Sequence, residues 1–304
     1  LAGAGAADVN LANVDGATPL IAASFRGHAG VVRALAGFGA DVNLADADGA
    51  TPLIVASQEG HLDVVTALAG LGADVNRASA DGETPIFQAS HRGHLAIVTA
   101  LGGLGADVNL AAAGGATPLI AASFRGHAGV VRALAGFGAD VNLADADGAT
   151  PLIVASQEGH LDVVTALAGL GADVNRASAD GETPIFKASY KGYRAVLSAL
   201  GDFGADVNLA TAEGATPLIM ASQKGDLEVV SALGALGADM NQAALNGATP
   251  LVMACITGGV DVAAYLLSQG ADPACTFRGT SAHSLAMQRG HVAVAKLIAA
   301  ALQH

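Results

Sequence analysis

Six histidines that each follow a glycine (His28, His61, His94, His127, His160, His291) and two cysteines (Cys255, Cys275) are the side chains of this chain best suited to chemistry. An imidazole can ligate a metal or shuttle a proton, but these six recur at a nearly constant interval, which sets them in a row rather than around one point. They read as structural residues at a turn. His91 stands outside the series, and a lone histidine on a surface is more often solvated than a ligand. The two cysteines are too few for a disulfide framework and lack zinc-finger spacing, which favours a reducing compartment. No neighbouring base activates either thiol. The string Asp46-Ala47-Asp48-Gly49 has the middle of a calcium loop, yet such a loop would begin at Leu44 and end at Val55, so both end ligands are missing. The 40 glycines include no phosphate-binding motif. No catalytic residue, metal or cofactor is expected.

The elements behind these residues follow from a 33-residue period: Thr-Pro recurs at Thr18, Thr51, Thr84, Thr117, Thr150, Thr183, Thr216 and Thr249. A fixed period of this length marks a stacked repeat protein. In the unit from Asp48 to Asn76, Asp48-Gly49 is a turn signal. Thr51 reads as a helix cap, with Pro52 in the first position, where its missing N–H is harmless. The first helix is predicted over about Pro52 to Glu59, ended by Gly60 in left-handed geometry. His61 opens a second helix with Leu62, Val64, Val65 and Leu68 at helical spacing, stopped by Gly72. Segments this short are marginal alone in water, so stacking is obligatory.

The pattern G-x-T-P-L-x-x-A-x-x-x-G-H-x-x-V-V-x-x-L-x-x-x-G-A-D-V-N resembles the ankyrin repeat over essentially the whole chain. That resemblance implies an all-α fold, an α-solenoid of ankyrin-like helix-turn-helix repeats joined by β-hairpin-like loops. Residues 1–12 are read as the partial tail of a preceding repeat, and residues 13–304 as one array with repeats starting near 13, 46, 79, 112, 145, 178, 211, 244 and 276. The last copy is atypical, with Ser281-Ala282 in place of Thr-Pro, as terminal repeats often are. The histidine usual after Thr-Pro-Leu is replaced by Ile21, Ile54, Phe87, Ile120, Ile153, Phe186, Ile219 and Val252, which substitutes apolar packing for a polar link. Alanine at Ala34, Ala36, Ala67 and Ala69 buries less area than the leucine common there.

The net charge of −13 argues against nucleic acid as a partner. Hydrophobic content is 52%, but no apolar run reaches membrane-spanning length, and no signal peptide is visible. A soluble, cytoplasmic protein is the default expectation. Nine aspartates (Asp8, Asp41, Asp74, Asp107, Asp140, Asp173, Asp206, Asp239, Asp272) occupy the repeated Ala-Asp motif as turn residues. A second acidic set (Asp46, Asp48, Asp81, Glu83, Asp145, Asp147, Asp180, Glu182, Glu213) falls near the hairpin tips, a rim that partners could meet.

Gly16 to Phe87 is identical to Gly115 to Phe186, three repeats later. Cores tolerate conservative substitution, so folding does not demand this. Duplication or deliberate construction explains it, and so does presentation of one surface twice to gain avidity. What varies lies at the end of the first helix: Phe25, Arg26, Gln58, Glu59, His91, Arg92, Phe124, Arg125, Gln157, Glu158, Tyr190, Lys191, Gln223, Lys224, Gln288 and Arg289. By the family resemblance these positions and the hairpin tips line a concave partner-binding groove. Aromatics and arginines are common interface anchors, and the excess of cations points to an acidic or mixed-charge protein segment, although Arg26, Glu59 and Arg92 could instead screen one another in water. The function expected is non-catalytic protein–protein interaction. The alternatives are a structural spacer or self-assembling array, or the interaction module of a larger protein whose active domain lies elsewhere. Leu20, Ile21, Val31, Val32 and Leu35 are expected to be partly exposed, so that the native molecule continues before Leu1 or this face packs on another protein or a second copy.

Overall fold

The computed structural model describes residues 8–303, which fall into two compact units divided between Asp147 and Gly148. In the first unit the helices are α1 (Pro19–Phe25), α2 (Ala29–Gly37), α3 (Pro52–Glu59), α4 (Leu62–Gly70), α5 (Pro85–Arg92), α6 (Leu95–Gly103), α7 (Pro118–Phe124) and α8 (Ala128–Gly136). The second holds α9 (Pro151–Glu158), α10 (Leu161–Gly169), α11 (Pro184–Lys191), α12 (Arg194–Asp202), α13 (Pro217–Lys224), α14 (Leu227–Ala235), α15 (Pro250–Thr257), α16 (Val260–Ser268), α17 (Ala282–Gln288) and α18 (Val292–Ala301). Within each unit, first helices pack on first helices and second on second, making two layers. Of the segment read as the tail of a preceding repeat, residues 1–7 lie outside the described residues. Residues 8–12 begin with the turn seen at each repeat end, where Asn10 N donates to Asp8 Oδ1 at 2.9 Å.

Local chemistry sets each helix. Thr51 Oγ1 accepts from Ile54 N at 3.3 Å and Pro52 fills the first helical position, an arrangement repeated at the other Thr-Pro pairs. The Ser281 side chain substitutes in the last repeat, accepting from Ser284 N. Gly60 ends α3 at φ 86°, and a Cβ there would lie 2.8 Å from the His94 ring, so glycine is required twice over.

The core lies between the helix layers. Leu53, Ile54, Ala56, Val64, Val65 and Leu68 are buried, as are the apolar replacements Ile21, Phe87, Ile120, Ile153, Phe186, Ile219 and Val252. Leu62 departs from the expected stripe and is exposed: it occupies the first position of α4, on the flank of the face centred on Val64, Val65 and Leu68. The connecting loops are hydrogen-bonded turns, with Gly49 N donating to Asp46 O and Asp46 N to Ala50 O. A strand pair occurs among the described residues only in the last repeat, where β1 (Thr276–Phe277) runs antiparallel to β2 (Thr280–Ser281).

Three series of hydrogen bonds join neighbouring repeats within the units, the histidine series being broken where Tyr193, Asp226 and Gly259 take the histidine's place. At the tips, Ala47 N donates to Asp15 O, Ala80 N to Asp48 O, Ala113 N to Asp81 O and Ala212 N to Asp180 O. At the helix turn, His61 Nε2 donates to Phe25 O at 3.0 Å and His94 Nε2 to Gln58 O at 3.0 Å, while His291 does the same to Ile256 O. At the repeat end, Asn43 Oδ1 accepts from Asp74 N and Asn208 Oδ1 from Asp239 N, while each aspartate's own Oδ1 accepts from the backbone two residues on.

The duplicated stretch lets position be separated from sequence. Leu20, Ile21 and Val32 are buried, contrary to expectation, because they face the next helix pair. Val31 is 48% exposed, whereas its counterpart Val130 is 2% exposed beneath the preceding repeat. Hydrogen exchange should therefore be faster in α1 and α2 than in α7 and α8, which are identical to them in sequence. Equal protection of the two pairs in a monomeric sample would contradict this.

Candidate functional site

Stacking of the first helices brings their last turns to one edge of each unit. In the first unit this edge carries Phe25 and Arg26 at the end of α1, Gln58 and Glu59 on α3, His91 and Arg92 on α5, and Phe124 and Arg125 on α7. Phe25 is 55% and Phe124 43% exposed. The Arg125 guanidinium lies 5.3 Å from the Phe124 ring centroid, and its Nε donates to His91 Nε2 at 3.0 Å. His91 also stacks on Phe87, with ring centroids 6.5 Å apart. Partial burial and then the nearby cations, Arg125 before Arg92, hold the His91 pKa below its usual 6.5, with a smaller contribution from His127. Arg26, Glu59 and Arg92 make no ion pairs with one another among the described residues, so they do not screen each other by direct contact.

In the second unit the same edge carries Gln157 and Glu158 on α9, Tyr190 and Lys191 on α11, Gln223 and Lys224 on α13, and Gln288 with Arg289 at the end of α17. Lys224 sits over the Tyr190 ring, with Nζ 3.7 Å from the centroid, and donates to the Tyr190 carbonyl. Gln157 donates to Glu158 at 3.1 Å. Tyr190 is 41% exposed.

The acidic rim is of two kinds. Asp46 is a turn former, its Oδ1 accepting from Asp48 N and Ala50 N, and Asp145 Oδ1 accepts from Asp147 N. Glu83 accepts from Gln88, and Glu182 pairs with Lys187. Asp48, Asp81, Asp147, Asp180 and Glu213 are exposed.

Two adjoining hollows of about 430 and 410 Å³ open where rim and helix ends meet in the second unit. They share Glu182, Phe186 and Met220. Sequence reasoning selected Gln157, Tyr190 and Lys191 here as helix-end residues, but missed Lys187 and Met220. A signal existed: the duplicated stretch ends at Phe186, and Lys187 and Met220 stand where the chain three repeats earlier has Gln88 and Ala121.

The two thiols are ill suited to nucleophilic chemistry. Burial, with a smaller contribution from Cys275, pushes the Cys255 thiol up to about 12, and burial also raises Cys275. Among the described residues no group of three or more His, Cys, Asp or Glu side chains is placed to hold a metal ion, and no helix is long and apolar enough to cross a membrane.

The family model described as ankyrin repeats in three copies matches residues 1–79, 86–178 and 170–244, and that of the single ankyrin repeat matches 246–276. No curated protein matches the sequence. Among solved structures, the human ASB11 ankyrin repeat domain is similar at 29% identity and TM-score 0.66, the alignment covering 72% of this chain and 98% of that one. The turn-capped helix pairs, their repeat-to-repeat bonds and these matches agree: the chain belongs to the ankyrin repeat family, whose members are generally protein–protein interaction modules.

Proposed function

We propose that the chain is a non-catalytic scaffold that binds another protein through the first-helix ends and the neighbouring tips. The observation that carries this reading is the placement of exposed aromatics beside cations: Phe124 under Arg125, and Tyr190 under Lys224. Aromatic and arginine side chains supply much of the energy at interfaces. Nothing in the fold requires them to be there, since the core is already filled by the Thr-Pro-Leu-Ile and Val-Val rows. The cations Arg26, Arg92, Arg125, Lys191, Lys224 and Arg289 outnumber Glu59 and Glu158 along these positions, which suits an acidic or mixed-charge segment. A cytoplasmic setting accords with two free cysteines.

The triple variant Phe25→Ala, Phe124→Ala, Tyr190→Ala tests the reading. A protein or peptide ligand of the intact chain should lose about 1–4 kcal/mol of binding energy in total, with thermal stability nearly unchanged because these side chains lie outside the core. Undiminished affinity would remove the helix ends from the interface.

His91 makes this surface pH-dependent. Its folded pKa lies below the unfolded value, so folding favours neutral imidazole. That contribution is complete above the unfolded pKa and is lost as the pH falls through the folded one. By NMR, His91 should titrate below 6.5, the reference value, and Arg125→Gln should raise its midpoint by removing the adjacent cation. A midpoint that ignores this substitution would show that Arg125 does not act on the ring.

A further inference from the structure

The joined hollows of the second unit are where the chain departs from its own template. Six lining residues, Lys187, Tyr190, Lys191, Thr211, Glu213 and Met220, lie beyond the duplicated stretch and stand where the chain three repeats earlier has Gln88, His91, Arg92, Ala112, Gly114 and Ala121. Around them Gln157, Glu182 and Phe186 are common to both copies. The differences are chemical as well as positional. Met220 is half-buried beside Phe186 and so extends an apolar floor, whereas Ala121 is wholly buried. Glu213 adds a carboxylate at a tip that has only glycine, Gly114, three repeats earlier.

Charge divides the site into two ends. At the tip end Asp180 and Glu213 are exposed, while Glu182 is neutralised by Lys187. At the helix-end side Lys191 is exposed, and Lys224 is held over Tyr190. Phe186 and Met220 lie between and belong to both hollows. The axial rise of α11 separates the two ends by roughly 12 Å, about four residues of extended chain. We propose that this site takes an extended peptide segment with one basic and one acidic side chain about four positions apart and an apolar side chain between them. The basic group pairs with Asp180 and Glu213, the acidic group with Lys191 and Lys224, and the apolar side chain covers Phe186 and Met220. This rests on the reading of the helix ends as a protein-binding surface, and it names the segment that one part of that surface selects.

The experiment uses a phage-displayed library of random dodecapeptides, panned on the full chain. Selected sequences are then synthesised and titrated by fluorescence anisotropy against three proteins. One is the intact chain and the second carries Phe25→Ala with Phe124→Ala. The third carries Lys187→Gln, Tyr190→His, Lys191→Arg, Thr211→Ala, Glu213→Gly and Met220→Ala. Every side chain introduced in the third already stands at the matching position three repeats earlier, so the helical fold is retained, and circular dichroism verifies it. Enriched peptides should show the basic, apolar and acidic spacing and bind the rewritten chain at least tenfold more weakly. Peptides of a single charge sign, no enrichment at all, or equal binding to the rewritten chain would overturn this inference. If such peptides nevertheless lose affinity for the Phe25 and Phe124 variant, the broader binding surface stands without it. If neither variant weakens any peptide, both readings fall.

Discussion

Helices of seven to ten residues are too short to persist in water, because the nucleus of a helix costs more than a few backbone bonds return. Every other feature answers that constraint. Each pair buries a row of small and branched side chains against its neighbour. Three polar series then fix the spacing: tip to tip through the backbone, histidine to the preceding helix end, and asparagine to the following aspartate. Three of the histidines suited by type to catalysis, His61, His94 and His291, are spent here, with Nε2 donating its proton to a carbonyl. Energy thus resides in interfaces between repeats, the expected arrangement in solenoids, and the surface side chains remain free to vary.

Much of this was legible in the sequence because each signal is local and repeated. Thr51-Pro52 and Gly60 marked helix ends to the residue, and Gly72 lies two residues past the end of α4, since capping and left-handed geometry depend on few neighbours. The family followed from the same residues. Exposure at the first helix pair was read rightly at Val31 and Leu35 but wrongly at Leu20, Ile21 and Val32: periodicity tells which residues share a face, whereas burial depends on which neighbour that face meets. Leu62 was misread for a related reason, as a flank position can satisfy helical spacing without being covered. The divergent hollows were the least legible part. Lys187 and Met220 are ordinary residues taken singly, and only the fold brings them beside Glu182 and Phe186.

The internal identity bears on function in a simple way. Two stretches alike from glycine to phenylalanine present the same buried rows, yet Val31 and Val130 differ widely in exposure because position alone differs. Beyond Phe186 the surface changes in chemical type while the core changes only from one apolar side chain to another: Ala188, Ser189 and Leu200 match Ala89, Ser90 and Leu101 and the buried Val196 and Leu197 replace Ile97 and Val98, but Tyr190 and Lys191 replace His91 and Arg92. Even an inter-repeat position varies, Tyr193 standing where His94 is three repeats earlier, but the changes of charge and polarity gather at the exposed helix ends.

That stability comes from interfaces and not from single repeats is the claim on which the rest depends. Its direct test is far-ultraviolet circular dichroism of a synthetic peptide spanning residues 46–78, one complete repeat, compared with the intact chain. The peptide is expected to show a largely unfolded spectrum at concentrations where it is monomeric, while the chain is helical. A monomeric peptide with the helical content per residue of the intact chain would contradict the account.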